Sequence, residues 1–227
     1  MTDMLLYFAP GSCSRVPLIA LLETGANFDT SLVRFRKGEH KSSAYKKLNP
    51  KGKVPLLVVD GEALSENVAI LLHLNILFPA AKLLPLAKSP IDAARQTADL
   101  CFCSSTLHPL VTRIRMPGFV AGPDAARSVW EKACDAMRDH FQLVEDRLAD
   151  GDWWYGEDWS IVDAYLGWVF WRVSGADFPV ADYPRFADHA QRLAARPSVQ
   201  QAMAIEASAN ALLEAEGLSF KPTPPPV

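Results

Sequence analysis

The pattern of the chain changes at Phe78-Pro79, and that change limits the fold more than any other feature. Before it, short apolar runs with strand character alternate with short helical stretches. Leu5-Leu6-Tyr7-Phe8 is a strand-like run that Pro10-Gly11-Ser12 interrupts. Val16 to Leu22 predicts a helix, with Gly25 as its C-cap. Phe28 to Val33 predicts a second strand, and Lys41 to Leu48 a short helix closed by Asn49-Pro50 and Gly52. Val54 to Val59 predicts a buried strand, Asp60-Gly61 a hairpin turn, and the return strand ends near Leu64. Ser65 then stands as the cap of an apolar helix from Glu66 to about Leu77. The order β-α-β-α-β-β-α describes a small mixed sheet with helices on its faces.

Beyond the break the helical period takes over. Pro79, Pro85 and Pro90 mark a linker. Ser89-Pro90 opens a helix predicted to run to about Arg115, before Met116-Pro117-Gly118, with a kink at Pro109 because proline removes a backbone donor. Trp130, Cys134, Met137, Phe141, Val144 and Leu148 share one face of a helix over 123–148. Ser160-Ile161-Val162-Asp163 has the form of a capping box and opens an almost wholly apolar helix, Ala164 to Val173. Tyr183-Pro184 and Pro197-Ser198-Val199 begin two more. The expected division is a domain over 1–80, a linker over 81–88, an all-helical domain over 89–220 and a disordered tail over 221–227.

Composition narrows the function. With 49% apolar residues in 227, the chain can bury a large core. A net charge of −3 gives no strong pull toward nucleic acid or anionic lipid. No apolar run approaches the ~20 residues that span a bilayer. The N-terminus, Met-Thr-Asp-Met, lacks the basic start of a secretion signal, so a cytoplasmic protein is expected. Cys13, Cys101, Cys103 and Cys134 have neither the spacing of a dithiol motif nor that of a zinc site, so free thiols and no metal are expected.

Four places could carry chemistry. Cys13 stands near the start of the first helix, where backbone N–H groups and the helix dipole would favour a thiolate, and Ser12 and Ser14 flank it. It could equally be a buried, inert thiol. Val16 occupies the place of a resolving cysteine. Val54-Pro55 can be a cis bond that leaves the preceding backbone open to an extended peptide, or an ordinary edge strand. Ser65-Glu66-Asn67, at a helix start, suits a ligand with a carboxylate and an amine close together, or is simply a cap. His108 precedes Pro109 and is either a core histidine or a polar group on a cleft.

Together and in this order, the pieces Leu6 to Ser14, Asn49 to Leu56, Leu64 to Ile70 and Ser160 to Tyr165 resemble the cytosolic glutathione transferases, and most nearly their bacterial beta-like members. The resemblance spans about Met4 to Leu218. It implies a thioredoxin-like α/β N-terminal domain and an all-α C-terminal domain. It implies glutathione as co-substrate, a small hydrophobic electrophile, and a homodimer. Val54, next to a cis Pro55, would pair backbone to backbone with the cysteinyl unit. Glu66 and Asn67 would hold the γ-glutamyl amine and carboxylate. Lys53 would meet a ligand carboxylate, with Lys37 a weaker candidate. The beta-like pattern places the catalytic cysteine at Cys13 and a histidine at His108, although Pro109 stands where that pattern has a basic residue. Ser12 ranks second as catalyst, Ser14 third and Tyr7 last.

The expected activity is stabilisation of the glutathione thiolate for attack on an electrophilic carbon or a disulfide. Thiol transfer, glutathione-dependent reduction or ether cleavage become relevant if Cys13 bonds to the glutathione sulfur. The rival is a non-catalytic interaction module on the same fold. A glutaredoxin-like dithiol enzyme is a third possibility, weakened by Val16. The electrophile pocket would draw on His108, Arg113 and Trp171 or Phe178.

Overall fold

The computed structural model describes residues 3–220, and the tail expected to be disordered lies outside them. The described chain forms two compact units, one of residues up to Leu83 with those from Arg196 onward, the other Leu84–Ala195.

The first unit is built on β1 (Met4–Phe8), α1 (Arg15–Thr24), β2 (Asp29–Leu32), α2 (Ser43–Leu48), β3 (Leu56–Val59), β4 (Glu62–Ser65) and α3 (Asn67–Leu77). The sheet order is β2-β1-β3-β4. β2 runs parallel to β1 after the α1 crossover, and β3 and β4 are antiparallel. Met4, Leu6 and Phe8 alternate into the core with almost no exposure. The hairpin tip needs positive φ at both central residues, which Asp60 (49°) and Gly61 (87°) supply. Gly25 closes α1 in the left-handed conformation, as its position predicts.

α3 begins one residue later than expected. Ser65 still belongs to β4, paired with Leu56, and Glu66 takes the N-cap position with φ 81° and ψ 127°. The strand pairing holds Ser65 extended, so the chain must bend at Glu66.

The unit also contains α10 (Pro197–Ala215), which packs on α1. Arg15 and Glu206 meet there as a buried ion pair, with Nε to Oε2 at 3.0 Å. Past the end of α10, Glu216 accepts from Arg34 through two bonds of 2.7 Å, and from Lys37 at 3.0 Å.

The second unit holds α4 (Pro90–Cys101), α5 (His108–Arg115), α6 (Pro117–Ala121), α7 (Ala126–Arg147), α8 (Ile161–Ser174) and α9 (Pro184–Ala194). The expected single helix over 90–115 is interrupted by a π-helical segment, Phe102–Leu107. Pro109 has no N–H for the carbonyl four residues back, and widening the turn before it accommodates that loss without a simple kink. The sequence also misses the short α6 after Met116.

α8 is the centre of this unit, with Ile161 to Val169 buried. It approaches α9 closely: a Cβ on Gly167 would stand 2.0 Å from Leu193 Cδ2. The capping box is present. Asp163 accepts from the Ser160 and Trp154 N–H groups at 2.8 and 2.7 Å and contacts His189 Nε2 at 2.9 Å. Among the described residues no helix is long and apolar enough to cross a membrane.

Candidate functional site

The turn between β1 and α1 is closed by its own serines. Ala9 O accepts from Ser12 Oγ at 2.7 Å and from Ser14 Oγ at 3.2 Å, while the two hydroxyls lie 2.7 Å apart. Ser14 is fully buried. Both hydroxyls therefore shape the turn, and Cys13 is the reactive group between them.

Cys13 is 8% exposed, and its Sγ lies 3.9 Å from Val54 O. The Asn67 Nδ2 donates to Cys13 O at 3.2 Å. Burial pushes the Cys13 thiol up to about 12, against smaller opposing effects of its own backbone N–H and of Asn67. The helix start was expected to favour the thiolate. Here desolvation outweighs it, because the sulfur is enclosed.

The Val54-Pro55 bond is cis. The backbone before it is clamped: Lys53 O accepts from Tyr45 Oη at 2.8 Å and from Asn49 Nδ2 at 2.7 Å. β3 pairing starts only at Leu56, and the Val54 N–H meets no acceptor among the described residues. An extended peptide could add there as a strand. The Lys53 side chain is exposed.

Glu66 and Asn67 part ways. Glu66 reaches solvent and meets Lys51 Nζ at 2.7 Å, and the same Nζ donates to Ser65 Oγ at 3.0 Å. Asn67 is 5% exposed and is turned to Cys13. Lys51, Tyr45 and Asn49 have parts that motif reading did not single out. The turn Asn49-Pro50-Lys51-Gly52 was the available signal, since it must present residue 51 at one fixed place.

Cys13, Lys53, Val54, Pro55, Glu66 and Asn67 thus belong to the first unit. Lys37 is engaged by Glu216. Tyr7 packs edge-on to Tyr45 at 5.7 Å. His108 belongs to the second unit, where it opens α5, lies with Nδ1 3.3 Å from Tyr165 Oη and meets the Trp168 ring at 4.8 Å. Phe178 is buried against Phe141 at 4.7 Å, a core position, whereas Trp171 is exposed.

Residues 11–76 match the family model of the glutathione S-transferase N-terminal domain, and residues 124–192 that of the C-terminal domain. The glutathione S-transferase GstA of Escherichia coli O157:H7 is 31% identical over 205 residues, 89% of this chain and 98% of that protein. The chain belongs to the glutathione S-transferases. A sphingomonad glutathione S-transferase complexed with glutathione superposes with a TM-score of 0.78 at 33% identity, over 89% of this chain and 98% of that one. A bacterial beta class glutathione S-transferase from Sphingomonas chungbukensis does so with a TM-score of 0.78 at 32% identity, over 89% and 98%. The thioredoxin-like sheet followed by helices is thus the glutathione S-transferase architecture. Within it, the open Val54 backbone and the Cys13 turn of this transferase lie on one unit.

Proposed function

We propose that the protein is a glutathione transferase that binds glutathione through the first unit and activates its thiol beside Cys13. The observation that carries this is the Val54 backbone ahead of β3, whose N–H meets no acceptor among the described residues and whose carbonyl lies 3.9 Å from Cys13 Sγ. A cysteinyl unit paired to Val54 brings its sulfur to Cys13. Glu66 supplies an anion for the γ-glutamyl amine, and Lys53 a cation for a carboxylate.

The chemistry follows from the protonation of Cys13. A thiol raised to about 12 is neutral at ordinary pH, so it acts as a donor and not as the attacking anion. The glutathione thiol loses its proton to solvent, and its sulfur accepts from Cys13 S–H. The thiolate then attacks an electrophilic carbon. A C–S bond forms, and the leaving group departs with its electron pair. A disulfide sulfur can be attacked in the same way.

The same reading takes the domains as 1–80 and 89–220, joined by 81–88, with α10 serving the first unit. It takes the protein as a cytoplasmic, bacterial detoxification enzyme and a homodimer. The dimer is supported by large apolar side chains left in solvent, Ile76 on α3 at 78% exposure and Ile91 on α4 at 57%.

The test is calorimetric titration with glutathione and with S-methylglutathione, then conjugation of glutathione to an aryl halide. Binding of both at one site per chain, with turnover, supports the proposal. A folded protein that binds neither overturns it and leaves the interaction module in front.

A further inference from the structure

The resemblance to the glutathione transferases implies that Glu66 and Asn67 divide the two charges of an amino-acid end between them. The geometry points to a different pair. We propose that Lys51, and not the Asn67 side chain, holds the α-carboxylate of the γ-glutamyl end of glutathione, while Glu66 holds its α-ammonium. The inference rests on the glutathione reading above and adds a specificity residue to it.

Asn67 is committed elsewhere: its amide is buried and donates to Cys13 O at 3.2 Å. Lys51 stands where the carboxylate ligand is needed. Its Nζ is 2.7 Å from Glu66 Oε1 and 3.0 Å from Ser65 Oγ, at the start of the eleven-residue α3.

Lys51 is brought there by built structure and not by a flexible loop. Asn49 is almost fully buried, accepts from the Lys51 N–H through Oδ1 at 3.2 Å and anchors Lys53 O through Nδ2 at 2.7 Å. The Gly52 N–H closes the turn on Asn49 O at 2.9 Å. Gly52 has φ +58°, and a Cβ there would lie 2.7 Å from His40 O. Asn49 therefore fixes both Lys51 and the backbone that leads into Val54.

The side chains of Lys51 and Glu66 are 52% and 65% exposed. Such a pair is weak and opens readily. A ligand's α-amino-acid end carries the same two charges in the opposite sense. When it enters, its ammonium takes the place of Lys51 on Glu66, and its carboxylate takes the place of Glu66 on Lys51. Ser65 Oγ and the opening N–H groups of α3 add donors for that carboxylate. Every charge keeps an opposite partner. A ligand that lacks either group leaves one charge unmatched, so the site selects the zwitterion.

The test is titration of the full-length protein with S-methylglutathione and with the S-methyl derivative of γ-aminobutyryl-cysteinylglycine, which lacks only the α-carboxylate. The variants are Lys51→Gln and Lys51→Arg, whose thermal midpoints should match the wild type because the side chain is exposed. Loss of a charge-assisted contact should weaken S-methylglutathione about tenfold in Lys51→Gln, with most of it restored in Lys51→Arg. The decarboxylated ligand leaves Lys51 unmatched in wild type, so it should bind Lys51→Gln at least as tightly as wild type. Equal weakening of both ligands would overturn the proposal. So would S-methylglutathione binding to Lys51→Gln as tightly as to wild type or more tightly, since Lys51 would then merely block Glu66. A wild-type protein that binds neither ligand removes the glutathione reading itself, an outcome distinct from wild-type binding that is indifferent to Lys51.

Discussion

Asn67 Nδ2 donates to the carbonyl of Cys13 at 3.2 Å, tying the first residue of α3 to the turn before α1. The two residues are 54 positions apart in the chain. The bond positions the cysteine backbone. We predict that Asn67→Ala destabilises the protein by about 1–2 kcal/mol, the cost of losing a buried amide partner. Urea unfolding measures this. In conjugation kinetics kcat should fall more than KM rises, because the thiol is displaced while Glu66 and Val54 still hold the ligand. An unchanged kcat would show that Cys13 does not depend on Asn67.

Cys13 is the expected donor to the glutathione sulfur. Cys13→Ala should lower kcat/KM for conjugation about tenfold, comparable to one pKa unit of thiolate stabilisation. Cys13→Ser keeps a donor and should retain more activity. Ultraviolet absorbance of the bound thiolate, followed against pH, should show a higher midpoint in Cys13→Ala. Wild-type rates in Cys13→Ala would move the role to Ser12, the next candidate.

The raised Cys13 thiol also has a signature in stability. Burial raises it to about 12 in the folded protein, above the ordinary thiol value of 9.0. The folded state then holds the proton more tightly than the unfolded state. The stabilisation is complete below about pH 9 and is lost as pH rises toward about 12. Denaturation midpoints of wild type and Cys13→Ala should therefore keep a constant difference at neutral pH and converge through that alkaline window. A constant difference across the window would mean that the thiol is not held protonated by burial.

Asp163 gathers a buried network in the second unit, with the Trp154 and Ser160 N–H groups and His189 Nε2 all on its carboxylate. Asp163→Ala leaves those groups without an acceptor at the start of the central helix. A loss of about 3–5 kcal/mol is expected, as for other broken buried charged networks. Thermal unfolding would read it. Asp163→Asn keeps two oxygen-facing contacts at most and should fall in between. A change within the scatter of surface substitutions would exclude the network as a main support of α8.

Local chemistry was legible wherever one short segment determines it. The Asp60-Gly61 hairpin, the Gly25 cap and the Ser160–Asp163 box all depend on neighbouring residues. The four motif pieces were also enough to identify the family and its two-part architecture. Less legible was the start of α3, because the pairing of Ser65 with Leu56 overrides the capping preference of serine. The π segment before Pro109 was equally hidden, since proline predicts a disruption but not its form.

What the sequence by itself determined is the identity and order of the elements, because period, caps and turns are local. Which groups meet was left to the tertiary structure. Helical spacing announces α10, yet only the buried contact of Glu206 with Arg15 assigns it to the first unit. Likewise Cys13 sits near a helix start in the sequence, where a thiolate is favoured, and only its enclosure makes burial the larger effect. Asn67 and Lys51 lay within the right motifs, but side-chain direction depends on packing partners far along the chain. Desolvation and long-range contact are properties of the folded surface, and no window of sequence carries them.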